Sequence, residues 1–192
     1  MEPEDLVTIQ PVLWRIHRTL GNHVLPWDGF RTFGPLASAR FDPHPLPAGD
    51  HPGCGVLYAA QDLATSLAEV FQTTRLVNTK TNDPHLTSWT PTRPLRVLDL
   101  TGTWAIRNQA SASLSAAPRP TCRAWAHAIH AHWPDLDGLY APSTMTGTPT
   151  IALWEPAKSC MPKLPDFSRP LSHAMLWTLV QRAATKIGYG IL

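Results

Sequence analysis

The run Gly55–Phe71, GVLYAAQDLATSLAEVF, changes its apolar period halfway along, and that switch constrains the fold more than any other segment. VLYAA is a short apolar run of the kind buried in a sheet, whereas Leu63, Leu67 and Val70 recur at helical spacing. Asp62 stands where an N-cap belongs, so the sequence predicts a strand over Gly55–Ala60 and a helix from about Leu63 to about Thr73. The segment carries one aromatic hydroxyl, Tyr58, and, after the capping Asp62, one carboxylate, Glu69. On an ideal helix Glu69 falls away from the Leu63, Leu67, Val70 stripe, so it faces either solvent or a cleft.

The rest of the chain has the same mixed character. Leu13–His17 (LWRIH), Leu95–Leu100 (LRVLDL), Gly138–Ala141 (GLYA) and Thr150–Trp154 (TIALW) read as short strands. Thr121–Trp133 reads as a helix through Trp125, Ile129 and Trp133. A last helix is expected over Ser172–Lys186, with Leu171, Met175, Leu179, Ala183 and Ile187 on one face and Gly188 as its C-cap. Six prolines and five glycines make Gly21–Gly53 an extended loop region, and Asn82–Pro94 reads as another turn-rich stretch. Strict strand–helix alternation is absent, which disfavours a doubly wound sheet and favours a single α+β domain.

Composition narrows the function classes. Charged residues make up 16% of the chain, against roughly 25% in an average soluble domain. The formal net charge is +2 and the basic residues are scattered, so no nucleic-acid footprint is present. Cys54, Cys122 and Cys160 form neither a disulfide framework nor a CxxC pair, which points to a reducing, cytoplasmic setting. The acidic start, MEPEDLVTIQ, lacks a secretory pattern, and no apolar run reaches the ~18–20 residues of a membrane span. Neither standard phosphate loop, nor a GxSxG elbow, nor HExxH occurs.

The remaining candidates are single residues. Arg15 lies in an apolar strand pattern and must reach a partner or solvent. Arg40, in ARFDP, sits before a turn, where a guanidinium can clamp phosphate. Ser143 opens a small-residue loop, PSTMTGTP, after GLYA. His127, His130 and His132 (HAIHAH) supply the material for a metal-dependent hydrolase. His127 and His130 share a helix face, but His132 points elsewhere and no adjacent acid or cysteine completes the site. Local readings also exist for each: a core tyrosine, a solvated glutamate, surface arginines, a turn serine.

Taken in order, LWRIHR, ARFDP, GVLYAAQDLATSLAEVF, VLDL and DGLYAPSTM…ALWE resemble the RES domain, named for an arginine, a glutamate and a serine. The resemblance runs from Leu13 to Glu155 and leaves 156–192 as a C-terminal extension with a helix, within one domain spanning 1–192. It implies an ADP-ribosyltransferase-like fold, a small split mixed sheet with flanking helices. Family members are typically toxins of bacterial Xre–RES toxin–antitoxin pairs. The resemblance therefore implies an enzyme that consumes NAD+ as substrate, by hydrolysis or phosphorolysis of the nicotinamide–ribose bond or by ADP-ribosyl transfer to a protein, without a metal. Carried over by position, Arg40, Tyr58, Glu69 and Ser143 are the catalytic set, and Arg15, Arg40 and Tyr58 bind NAD+. The expected partner is an Xre-type helix-turn-helix antitoxin covering the site in a hetero-oligomer, with no direct role for nucleic acid or membrane. A non-enzymatic interaction module is the remaining alternative.

Overall fold

The computed structural model describes residues 3–192; Met1 and Glu2 of the acidic N-terminal stretch lie outside them. Strands β1 (Leu6–Ile9) and β2 (Leu13–Arg18) come first. Two-residue strands β3 (Phe33–Gly34) and β4 (Gly49–Asp50) pair within the proline-rich stretch. Strand β5 (Val56–Ala60) then runs into helix α1 (Leu63–Val70). After β6 (Leu76–Val77), β7 (Pro84–Trp89) and β8 (Leu95–Asp99) come helices α2 (Trp104–Arg107) and α3 (Arg119–His132). Strands β9 (Gly138–Pro142), β10 (Pro149–Trp154) and β11 (Phe167–Pro170), helix α4 (Trp177–Lys186) and β12 (Gly190–Ile191) complete the chain.

Eight strands form one sheet in the order β1-β8-β9-β10-β5-β2-β7-β11. The β8–β9 pair is parallel and the other neighbours are antiparallel, so the sheet is mixed. It is also split. β5 meets β2 through one residue pair, Trp14 opposite Ala60, and beyond it the two strands part. Arg31 enters the gap and bridges Val56 instead. The fold is the expected single α+β domain, a split mixed sheet with flanking helices, and the sheet runs to eight strands.

The split matters because of what covers it. Side chains alternate between faces along a strand, so Trp14 and Ile16 share a face with Ala60, Tyr58 and Val56 through the Trp14–Ala60 register. On this face Val56 belongs to an apolar cluster with Trp104, Cys122, Ala126 and Ile129 of α2 and α3. Ile16 and Leu86 belong to a second cluster with Leu63 and Leu67 of α1 and Val180 and Ala184 of α4. The two helical layers leave a trough between them over the split. The opposite face packs Leu57, Ala59, Trp89 and Ile151 against Phe30, Ala157 and Cys160.

Several elements differ from the sequence reading. α1 begins as expected, with Asp62 Oδ1 accepting from the Thr65 amide at 2.9 Å, but ends at Val70. It buries every residue from Leu63 to Ala68, while Val70 lies 46% exposed. Wedged between β2 and α4, α1 is enclosed more widely than a single stripe. Residues 84–89, expected as turns, form β7 in the sheet interior between β2 and β11. Both of its faces are buried, so Thr87 and Ser88 carry no alternation signal. Thr87 is accommodated by hydrogen bonds to His17 and Ser168. In the last helix Val180, Ala183 and Ala184 face the core, and Met175 and Leu179 do not. A 3₁₀ turn over Ala174–Leu176 advances three residues per turn and resets the phase of α4. Gly188, at φ +70°, ends the helix as expected.

Candidate functional site

The trough over the sheet split is a cavity of about 390 Å³. That is within the range of small-molecule pockets, roughly 300–1,000 Å³. Arg15, Arg40, Tyr58, Glu69 and Ser143 all contribute to its walls. They do so in different ways.

Glu69 leaves the last turn of α1 toward the cavity. Ser143, 5% exposed at the end of β9, donates its hydroxyl to Glu69 Oε1 at 2.6 Å. The same Oγ accepts from the amides of Met145 and Thr146 at 3.0 and 3.2 Å. The loop PSTMTGTP thus folds back on its first serine, which fixes the rotamer that meets Glu69. Among the described residues Glu69 is the one carboxylate lining the cavity.

Tyr58 offers its ring rather than its hydroxyl. That hydroxyl donates to Asp42 Oδ1 at 2.8 Å and accepts from the Phe41 amide at 3.1 Å. Burial, reinforced by the Asp42 charge, holds the phenol well above its ordinary pKa of 10, so it stays protonated at any working pH. Asp42, fully buried, was not singled out in the sequence. It also takes an ion pair from Arg31 Nη2 at 2.7 Å and the Leu36 amide at 2.8 Å. Arg31, in the cavity wall, is therefore neutralised from behind, and its Nη1 is given to the Phe33 carbonyl. The one available signal for Asp42 was its place in ARFDP, two residues after Arg40.

The arginines divide the same way. Arg15 sits on the strand position opposite in face to Trp14 and Ile16, and Nη1 donates to the Trp27 and Gly29 carbonyls at 2.7 and 3.4 Å. Burial lowers its pKa to about 10, which leaves it cationic at neutral pH. It ties the inserted loop across the split, and its guanidinium is largely spent on that. Arg40 Nη1 donates to the Ala117 carbonyl at 2.7 Å, and no carboxylate pairs with it among the described residues. Arg119, the first residue of α3, also lines the cavity and was not anticipated. Its Nη2 donates to Gln72 Oε1 at 3.3 Å, while its Nε is buried with no partner among the described residues. A buried donor left unmatched inside a cleft is a group that a ligand can satisfy. Gln72 in turn donates to the Glu69 carbonyl at 2.8 Å, which links Arg119 to the end of α1.

The three histidines of α3 do not gather. His127 Nδ1 lies 2.9 Å from the Pro43 carbonyl, and His132 Nδ1 lies 2.8 Å from the Ala128 carbonyl. The His130 ring packs edge-on to Trp154. Among the described residues no group of three or more His, Cys, Asp or Glu side chains is placed to hold a metal ion, and no helix is long and apolar enough to cross a membrane.

Glu155, which ends the ALWE motif, also has a structural task. Its Oε2 accepts from the Gly55 amide at 2.9 Å, where a side chain on Gly55 would collide with it. Asp137, which opens DGLY, is buried and held bidentately by Arg93 at 2.7 and 2.8 Å.

Comparison with solved structures finds the M. tuberculosis MbcT–MbcA toxin–antitoxin complex, at a TM-score of 0.61 and 17% identity, covering 92% of each chain. At that identity the likeness is one of fold. Comparison with curated proteins gives no match. The sequence profile of the RES domain matches residues 12–172, well over half the length, and the chain belongs to the RES domain family.

Proposed function

We propose that this protein is the toxin of a bacterial toxin–antitoxin pair and cleaves the nicotinamide–ribose bond of NAD+ in the trough over the sheet split. The observation that carries this reading is the Ser143-held carboxylate of Glu69, facing a cavity that Arg40 and Arg119 also line; among the described residues neither has an acidic partner, and neither is tied to the inserted loop as Arg15 is. Two such cations match the two negative charges of a dinucleotide's pyrophosphate. A single carboxylate suits a leaving group that departs neutral from a cationic ring. Nicotinamide needs no general acid, whereas most glycosidases require two carboxyl groups.

In this reading Arg40 and Arg119 hold the pyrophosphate, and Arg15 stiffens the wall behind them. The Tyr58 ring packs against the ribose or nicotinamide. Glu69 holds a ribose hydroxyl and stabilises positive charge developing on the sugar as the C–N bond breaks. Ser143 keeps the carboxylate aimed into the cavity. Water, phosphate or a protein side chain then attacks the ribosyl carbon. The fold likeness to a toxin solved with its antitoxin supports an antitoxin partner here. We assign that partner to the helix-turn-helix class, with both proteins in the cytoplasm.

The test is incubation of the partner-free protein with NAD+, with and without phosphate, followed by product identification. Free ADP-ribose reports hydrolysis, a phosphorylated ADP-ribose reports phosphorolysis, and label on protein reports transfer. Glu69→Gln lowers turnover by about a hundredfold or more while the melting temperature is kept. Turnover by folded Glu69→Gln at the wild-type level overturns the assignment.

A further inference from the structure

A second cavity, of about 310 Å³, lies on the other flank of α1. Arg75, in the turn after α1, and Lys186, the last residue of α4, line it together with Thr65, Thr146 and Thr148. Among the described residues neither cation has an acidic partner. Asp62, the one acid at this cavity among the described residues, has both oxygens engaged in the helix cap, by the Thr65 amide and the Thr65 hydroxyl. The Thr65 hydroxyl is thereby committed as a donor, so Thr146 donates across the 2.9 Å contact between the two threonines. Thr148 donates its amide to Thr146 Oγ1 at 3.3 Å and accepts from the Ser143 amide at 3.0 Å through its carbonyl, and among the described residues its hydroxyl makes no hydrogen bond.

Arg75 is also held in an uncommon backbone state. Its φ is +52°, a left-handed conformation that costs a residue with a Cβ about 1 kcal/mol. The conformation is locked from both sides, by the Arg75 amide on the Phe71 carbonyl at 2.8 Å and the Gly190 amide on the Arg75 carbonyl at 3.1 Å. Strain of this kind persists where the surrounding structure fixes it, and it clusters at sites that hold ligands.

We propose that this cavity binds a phosphate group, free or as a small phosphomonoester, through Arg75, Lys186 and the Thr148 hydroxyl, and that its occupancy is felt at Glu69. The route is short. Thr146 shares its hydroxyl contact with this cavity, and its amide is bonded to Ser143 Oγ, the atom that donates to Glu69. A ligand that draws on Thr146 or Thr148 therefore acts on the loop that orients the carboxylate in the main trough. The binding claim does not depend on what the main trough does, since its readout needs no turnover.

The experiment is an amide chemical-shift titration of the full chain with inorganic phosphate, against sodium chloride at matched ionic strength. Wild type, Arg75→Gln/Lys186→Gln and Arg40→Gln are compared after melting curves show that each is folded. Saturable shifts at Thr65, Thr146, Thr148 and Ser143 are expected in wild type and in Arg40→Gln. They weaken roughly tenfold or more in the double variant, because each lost charge-assisted hydrogen bond carries about that factor. Shifts that persist in the double variant, that vanish in Arg40→Gln, or that chloride reproduces overturn the site. Saturable shifts at Thr148 with none at Ser143 overturn its link to Glu69.

Discussion

At the scale of single residues, the site depends on which polar atoms are already spent. The Tyr58 hydroxyl is tied to Asp42 and the Phe41 amide, so the ring is the part that faces a ligand. Tyr58→Phe is expected to keep NAD+ turnover within a few-fold of wild type while losing about 1–2 kcal/mol of stability, as the Phe41 amide loses its acceptor. Tyr58→Ala removes the ring and loses turnover as well. Asp42→Ala behaves differently, because it strands the Arg31 charge that Asp42 neutralises. Breaking such a pair costs about 3 kcal/mol or more. Steady-state kinetics beside chemical denaturation separate the three, and a Tyr58→Phe protein as inactive as Glu69→Gln shows that the hydroxyl is needed. The tyrosine, the glutamate and the serine were legible as candidates because they stand in ordered motifs. Asp42 and Arg119 were not, since an acid in a turn and an arginine opening a helix are common surface features. Only the three-dimensional convergence of residues 31, 42 and 58, and of 69, 72 and 119, gives them roles.

At the scale of elements, local signals read well wherever one element fixes its own boundary. Asp62 both caps α1 and ends the strand before it, and the helix starts at Leu63 as the sequence predicts. β7 was missed because its partners, β2 and β11, lie about 70 and 80 residues away in the chain, so what satisfies Thr87 cannot be seen locally. The expected face of the last helix holds only in part: Leu171, Ala183 and Ile187 pack on the core while Met175 and Leu179 lie exposed, since a 3₁₀ turn of three residues shifts its phase. Two substitutions compare a cap with a close approach. Asp62→Ala removes the side-chain acceptor for the Thr65 amide and is expected to lower stability by about 1 kcal/mol. Gly138→Ala is worse. Gly138 has φ +149°, and a Cβ there would overlap the Ala152 carbonyl oxygen in the neighbouring strand β10. Overpacking against a backbone atom that a sheet holds in place is expected to cost about 3 kcal/mol or more. Urea midpoints order the two, and a Gly138→Ala protein no less stable than Asp62→Ala contradicts the close approach at β9 and β10.

At the scale of the whole molecule, the split sheet has two halves joined by one strand pair, so β2, β7 and β11 depend on their own cross-strand contacts. A polar column supplies some of these, from His17 on β2 to Thr87 on β7 at 3.1 Å and on to Ser168 on β11 at 2.9 Å. His17 is held neutral. Burial first, then the charge of Arg15 and the neighbouring His85, lowers its pKa to about 4, against opposition from a backbone hydrogen bond at Arg18 and the charge of Asp28. In the unfolded chain the same imidazole titrates near 6.5. Between those values the unfolded state binds the extra proton, so stability rises with pH across this window. The contribution is complete above about pH 6.5 and is lost as pH falls toward 4. Burial lowers the pKa of His44 and of His130 as well, so the three act in the same direction. The denaturation midpoint is therefore expected to fall on acidification from pH 6.5, before the carboxylates begin to protonate. His17→Gln, which keeps a polar group opposite Thr87 but carries no titration, is expected to flatten the fall. Midpoints measured at half-unit steps from pH 4 to 7.5 decide the matter. An unchanged slope in His17→Gln shows that the column between β2 and β11 does not set the acid sensitivity of this half of the sheet.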